Sequence, residues 1–398
     1  MTLNVLFKVA FWRGLTAILS FLTVMLCMKN LEVADFAEYS LAFTIYTAFC
    51  LLPNIGINNY IVIEEGQSTL IEKNNNIKIY FSIIAIIAFF LNYFGALNDL
   101  LFFAVAGGIF GSVFDYALSK YQAKKQFLKY SIMMPTRTLL FFLGVLLVFY
   151  VYENKSVNEI FKISTLIYFV FYMFFVFKNF NKSFFNFKAN LSLYVGSLSF
   201  LIFELCALLM MRSEVWVLSF YSEKINLPKS DIANYWAAFN FIMIISMLSS
   251  TLSNIVLPYI KKSKEDNFSS LSGVVNKVSI IMIALLVLSS LLAYLMTVFY
   301  FTSDYMNLPI YVLVLGVGIF ASFLANIERL KLMVGEENKK VDRLVVFQVV
   351  FSLIMNFLFI YLWGIWGAIF TFIMVRVLSL VIFKWLGKTN VFASPKNT

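Results

Sequence analysis

Apolar runs of about twenty residues, each long enough to carry a helix through a bilayer core of roughly 30 Å, recur along the whole chain between short polar breaks. The hydropathy pattern predicts spans over 9–28, 38–62, 77–94, 98–119, 131–151, 160–177, 192–219, 232–259, 274–300, 309–328, 344–362 and 365–384. These windows predict an all-α integral membrane protein with about twelve transmembrane helices. The first apolar run lacks a small-x-small cleavage site and ends in Lys29 and Asn30. It therefore reads as a retained helix and not as a signal peptide.

Composition agrees with the pattern. Hydrophobic residues make up 61% of the 398 positions and charged residues only 13%, and the mean hydropathy is +0.86. Soluble domains carry roughly 45–50% apolar residues, so a water-soluble core is excluded. A net charge of +10 would suggest nucleic acid in a soluble chain, but its placement argues for lipid instead. With the N-terminus inside, 22 of the 31 Lys and Arg fall on the inner side, 5 outside and 4 within spans. The positive-inside rule thus predicts that both termini are cytoplasmic. Cys27, Cys50 and Cys206 lie inside predicted spans, with neither metal-ligand spacing nor a disulfide framework.

One segment repeats. DFAEYSLAF, from Asp35 to Phe43, returns as DIANYWAAF, from Asp231 to Phe239, with Asp, Ala, Tyr, Ala and Phe at the same spacing. Both copies open the second helix of a six-helix set, and a Pro-containing stretch follows each (Pro53 and Pro258). Six spans per half is an even number, so both halves enter from one side. The expectation is two six-helix lobes, 1–185 and 186–398, related by a pseudo-two-fold along the membrane normal with a cavity between them. The hinge is expected in the segment 178–190.

The chain resembles the Wzx-type polysaccharide flippases of the multidrug/oligosaccharidyl-lipid/polysaccharide (MOP) exporter superfamily. The resemblance runs over nearly the whole length. It rests on Ala37, Tyr39 and Ser40 at the start of the second helix, on Tyr121 to Lys124 after the fourth, and on the late stretch MNFLFIYLWGIWGAIFTFI. There Asn356 precedes the turn formed by Gly364, Ile365, Trp366, Gly367 and Ala368. The lipid II flippase branch usually has fourteen spans, and this chain has no room for the extra pair. That departure favours O-antigen or capsule repeat units over cell-wall precursors.

Ionisable residues at bilayer depth cost roughly 2.5–3.5 kcal/mol each on insertion scales, so each one is a functional candidate. A lipid pyrophosphate demands a wet, cationic cavity, and the planar fork of arginine suits phosphate oxygens. Arg13, Arg137, Arg212 and Arg376 are the candidates for that cavity. Each has a plainer alternative: Arg13, five residues past Lys8, also has the reach to snorkel to the inner interface. Arg137 sits near the inner start of its helix behind Pro135, and Arg376 has the depth to pair with a neighbouring carboxylate. Asp115, Glu204 and Glu214 are candidates for ion coupling or for charge pairs. Asp115 follows Gly107, Gly108, Gly111 and Ser112, which would let a neighbouring backbone approach closely, and it suits either a coupling cation or a pair with an arginine. Glu204 and Arg212 lie about 80° apart around one helix, able to face one cavity without touching. Glu214 points about 200° from Arg212 and reads as an interfacial or interhelical partner.

The resemblance implies a flippase that moves polyprenyl-pyrophosphate-linked oligosaccharide from the cytoplasmic to the periplasmic leaflet of a bacterial inner membrane by ion-coupled alternating access. The implied partners are the lipid bilayer, the lipid-linked glycan and the polysaccharide polymerase machinery. No nucleic acid, metal or cofactor is expected beyond a coupling H+ or Na+, and no Walker-type loop is present. A drug or metabolite antiporter on the same scaffold is the alternative, though a cationic substrate would prefer carboxylates to arginines. A membrane glycan polymerase or glycosyltransferase is a third reading. It is disfavoured because the longest outer segment, near 221–231, is about a dozen residues and the chain has no histidine.

Overall fold

The protein is seen in a computed structural model that describes residues 3–54, 56, 58, 98–124, 126–152, 155–178, 188–263, 269–334 and 338–391. Among these the regular elements are all helical: α1 (Leu3–Asn30), α2 (Val33–Leu51), α3 (Asp99–Ala123), α4 (Phe127–Tyr150), α5 (Val157–Lys178), α6 (Lys188–Tyr221), α7 (Lys229–Ser263), α8 (Ser269–Phe299), α9 (Leu308–Val334), α10 (Asn338–Trp363) and α11 (Ile365–Val391). The expected span 77–94 lies outside the described residues, as does most of the expected hinge. Among the described residues nine helices are long and apolar enough to cross a membrane. This is a multi-pass membrane protein.

Helix ends depart from the hydropathy windows in one direction. In 229–391 the ends expected on the outer side agree within about three residues, while those expected on the inner side run on, to 263 against 259 and to 391 against 384. Hydropathy senses only the hydrocarbon layer. A helix rich in Lys at its end continues into the headgroup region, where its charges are solvated.

The chain divides into two compact units, Met1–Leu208 and Leu209–Thr398. The division falls inside α6 and not near 185, so the first part of α6 goes with the first unit. Within each unit the helices pair in the same order. In the first, α1 packs on α4, α2 on α3 and α3 on α5; in the second, α7 packs on α9 and α9 on α11. There α6 meets α10 through Asn356 and Ser213 and through Tyr221 against Phe357. First on fifth, second on fourth and fourth on sixth thus hold in both halves. The repeated segments occupy equivalent places: Tyr39 and Tyr235, Ala42 and Ala238 are all buried on the second helix of their unit.

Glycines set the closest approaches. At Gly108 a Cβ would lie 2.6 Å from the Tyr46 carbonyl oxygen, so α3 and α2 touch backbone to backbone. Gly364 (φ +57°) makes the turn between α10 and α11, and a Cβ on Gly367 would overlap the Phe359 backbone. After α2 the chain tightens into a 3-10 turn at Leu52–Asn54. Pro53 supplies no N–H there, and the Asn54 side chain donates to the Cys50 carbonyl at 3.0 Å. By contrast α7 runs on through Pro258 without a break.

Candidate functional site

In the first unit the polar centre is a chain of groups on α2, α3, α4 and α5. Arg137 Nη1 meets Asp115 Oδ2 at 2.5 Å, each side chain keeping 31% of its surface exposed. Behind them the Tyr168 hydroxyl donates to the Arg137 carbonyl at 3.0 Å and itself accepts from the Tyr46 hydroxyl at 3.0 Å. The two rings are stacked, 5.9 Å apart. Position 137 is therefore held by backbone and side chain together.

Glu204, on the part of α6 that belongs to this unit, accepts a hydrogen bond from the Gly56 backbone and lies within electrostatic range of Asp115. Gly56 (φ +68°) allows that contact, since a Cβ there would come within 2.6 Å of the Ser197 carbonyl. This centre sets Glu204 near Asp115, the carboxylate that pairs with Arg137. Arg13 is exposed on α1.

In the second unit the charges rest on aromatic faces. The guanidinium of Arg212, on α6, lies 4.9 Å from the centre of the Trp236 ring and 5.8 Å from that of Phe239, both on α7. The guanidinium of Arg376, on α11, lies 3.3 Å from the Phe372 ring centre and donates to the Phe372 carbonyl at 2.9 Å. Phe239 packs on Trp236 and edge-on against Phe372, so one aromatic seam joins the two cations. Gly318 on α9 leaves room for this, since a Cβ there would lie 2.7 Å from the Phe372 ring. Ring faces attract cations without a counter-charge, by about 0.5–2 kcal/mol each.

One carboxylate serves both arginines. Glu214 is 1% exposed, feels both Arg376 and Arg212, and has the Asn356 amide within hydrogen-bonding reach. Asn356 also donates to the Ser213 hydroxyl at 3.0 Å. Among the described residues this centre sets two guanidiniums against one carboxylate.

The sequence-expected residues thus separate into two groups. Asp115 and Arg137 come together, as do Arg212, Glu214 and Arg376. Glu204 and Arg212 share α6 but belong to different units. Trp236 and Tyr235 were visible in the sequence only as markers of the repeat, and Asn356 only as part of a resemblance. For Asn356 a signal was present, a polar residue inside an otherwise apolar span, whereas in a chain that is 18% aromatic the two rings carried none.

No family model and no curated protein matches the sequence. Solved structures do match. The lipid II flippase MurJ in an inward closed conformation aligns at a TM-score of 0.70 and 14% identity, over 96% of this chain and 87% of that one. The fold is that of MOP-superfamily transporters. An inward-facing MATE family transporter of the MOP superfamily aligns at 0.68 and 12% identity over 96% of both chains. A Vibrio cholerae MATE transporter aligns at 0.52 and 12% identity, over 98% and 97%.

Proposed function

We propose that this protein is a MOP-type flippase that moves polyprenyl-pyrophosphate-linked oligosaccharide repeat units of O-antigen or capsule from the cytoplasmic to the outer leaflet by ion-coupled alternating access. The observation that carries this reading is the unbalanced charge of the second unit. Among the described residues Arg212 and Arg376 share the carboxylate of Glu214 and rest on rings, Arg376 also donating to the Phe372 carbonyl. A positive charge buried without an equal counter-charge is stabilised by an anion that arrives with the substrate. A guanidinium stacked on an aromatic ring keeps its N–H edge free for paired phosphate contacts. The likeness to a lipid II flippase adds a precedent for lipid-linked cargo on this fold. On this reading the protein is a carrier and not an enzyme. It sits in a bacterial inner membrane with both termini cytoplasmic and hands its cargo to polymerase machinery outside.

Depletion of the protein in its native cell, followed by outer-face labelling of lipid-linked glycan, tests the reading. Complete but unlabelled repeat units are expected to accumulate. Arg212→Ala, delivered to the membrane at the parent level, is expected to reproduce that accumulation. Full export by a stable Arg212→Ala protein overturns the role given to Arg212.

A second reading has its own observation. In the first unit Asp115 pairs with Arg137 and a further carboxylate, Glu204, lies within electrostatic range of Asp115, an arrangement that suits a cationic drug or metabolite. Depletion that leaves surface glycan unchanged but sensitises cells to cationic drugs would favour that antiporter.

A further inference from the structure

Helix α10 has the reverse of a soluble amphipathic pattern. Phe347, Val350, Ile354 and Leu358 are exposed on its outer side, whereas its buried stripe is polar: Gln348, Ser352 and Asn356 are 5%, 3% and 0% exposed. A spacing of four residues stacks these side chains along one face, about 12 Å from first to last. The stripe starts beside the basic end of α10, which carries Lys339, Lys340 and Arg343. It ends where Asn356 meets Ser213, next to Glu214.

Helix association would use such polar side chains by pairing them. Here several stay unpaired. Among the described residues Gln348 Nε2, Asn356 Oδ1, Glu214 Oε1 and the Tyr235 hydroxyl have no hydrogen-bond partner. One orphan is a donor, two are acceptors and the hydroxyl is both. Within a membrane such groups are expensive unless something satisfies them, and water, which donates and accepts, can serve all four.

We propose that the Gln348, Ser352 and Asn356 ladder holds a file of ordered water joining the basic end of α10 to Glu214, and that protons reach and leave that carboxylate along it. The groups that face Glu214 are Arg212 on its own helix, Arg376 on α11, Tyr235 on α7 and Asn356 on α10. Both guanidiniums face Glu214, so a proton that arrives on this carboxylate removes the counter-charge they share. The proton leaves by the reverse path, with no net chemistry at the ladder. This holds whatever cargo the protein carries, because it concerns the second unit alone.

The test uses the full chain with Cys27→Ala, Cys50→Ala and Cys206→Ala, reconstituted in liposomes, and Ag+ as a thiol probe small enough for a water file. Cysteines introduced as Gln348→Cys and Ser352→Cys are expected to react at least about tenfold faster than those introduced as Val350→Cys and Ile354→Cys on the exposed side. Equal slow rates at all four positions mean a dry ladder and overturn the proposal. An acid jump on the otherwise native protein then tests the proton role. Proton uptake is expected to lose one component in Glu214→Gln, and in Gln348→Leu to keep its amplitude while slowing about tenfold. Uptake unchanged in both variants overturns the proton path even if the ladder is wet.

Discussion

In the first unit Arg137 meets Asp115 directly, and both side chains remain partly open. In the second, Arg212 and Arg376 lie on rings and share the buried Glu214. Helices pair in the same order in both units, so the difference comes from the side chains and not from the scaffold. The Arg137–Asp115 pair is matched one to one and joins α4 to α3, with Glu204 a further carboxylate within range of Asp115. A two-to-one cluster is unfinished and keeps capacity for an anion. The same fold can therefore carry a brace in one half and a binding centre in the other.

The largest expected effect removes the shared carboxylate. Glu214→Ala leaves two buried guanidiniums with no opposite charge and is expected to destabilise the protein by about 3–5 kcal/mol, whereas Asp115→Ala, in a half-open site that water can reach, should cost less. Thermal unfolding of both variants in the same detergent compares them directly. A larger loss from Asp115→Ala would reverse the assignment of brace and binding centre.

Next come the steric contacts. Gly108→Ala drives a methyl against the Tyr46 carbonyl, a backbone atom that cannot turn aside. Gly318→Ala meets side chains only, the Phe372 ring at 2.7 Å and Arg376 Cδ at 3.5 Å. The first is expected to cost about 1–3 kcal/mol and the second to cost less. Yet Gly318→Ala should weaken substrate export more, because the displaced ring carries Arg376. Stability and export measured on both variants should rank them in opposite orders.

Much of this comparison could be read in the sequence. The repeat at Asp35 and Asp231 located the second helix of each half, and Gly364 and Gly367 located the last hairpin, because both signals are local. The pairing of residues 115 and 137 was open, since two helices joined by a short loop can meet with many rotational phases, and hydropathy does not fix phase. The stacking of Arg212 on Trp236 was hidden for the same reason. The aromatic share of the chain is 18%, so one more tryptophan in a span carried no distinguishing signal. The boundary inside α6 was out of reach as well, because a continuous helix shows no composition break at Leu208.

A smaller effect separates planar stacking from charge at Arg212. Arg212→Lys keeps the charge but presents a compact ammonium to Trp236 and loses the paired N–H edge. Export is expected to fall about tenfold, corresponding to roughly 1.4 kcal/mol, with little change in stability. Export equal to the parent would mean that charge alone matters there.

The smallest expected effect tests whether the first unit is a brace. Tyr168→Phe removes one hydroxyl, and with it the donation to the Arg137 carbonyl and the acceptance from Tyr46. It leaves the ring stack in place. A net loss of about 0.5–1.5 kcal/mol is expected for each of the two bonds, visible as a modest drop in unfolding temperature. Substrate affinity should not move, because the Asp115 and Arg137 side chains still pair. Weaker substrate binding at unchanged stability would place the first unit in contact with cargo, and the contrast between a matched pair and an unfinished cluster would no longer separate the two halves.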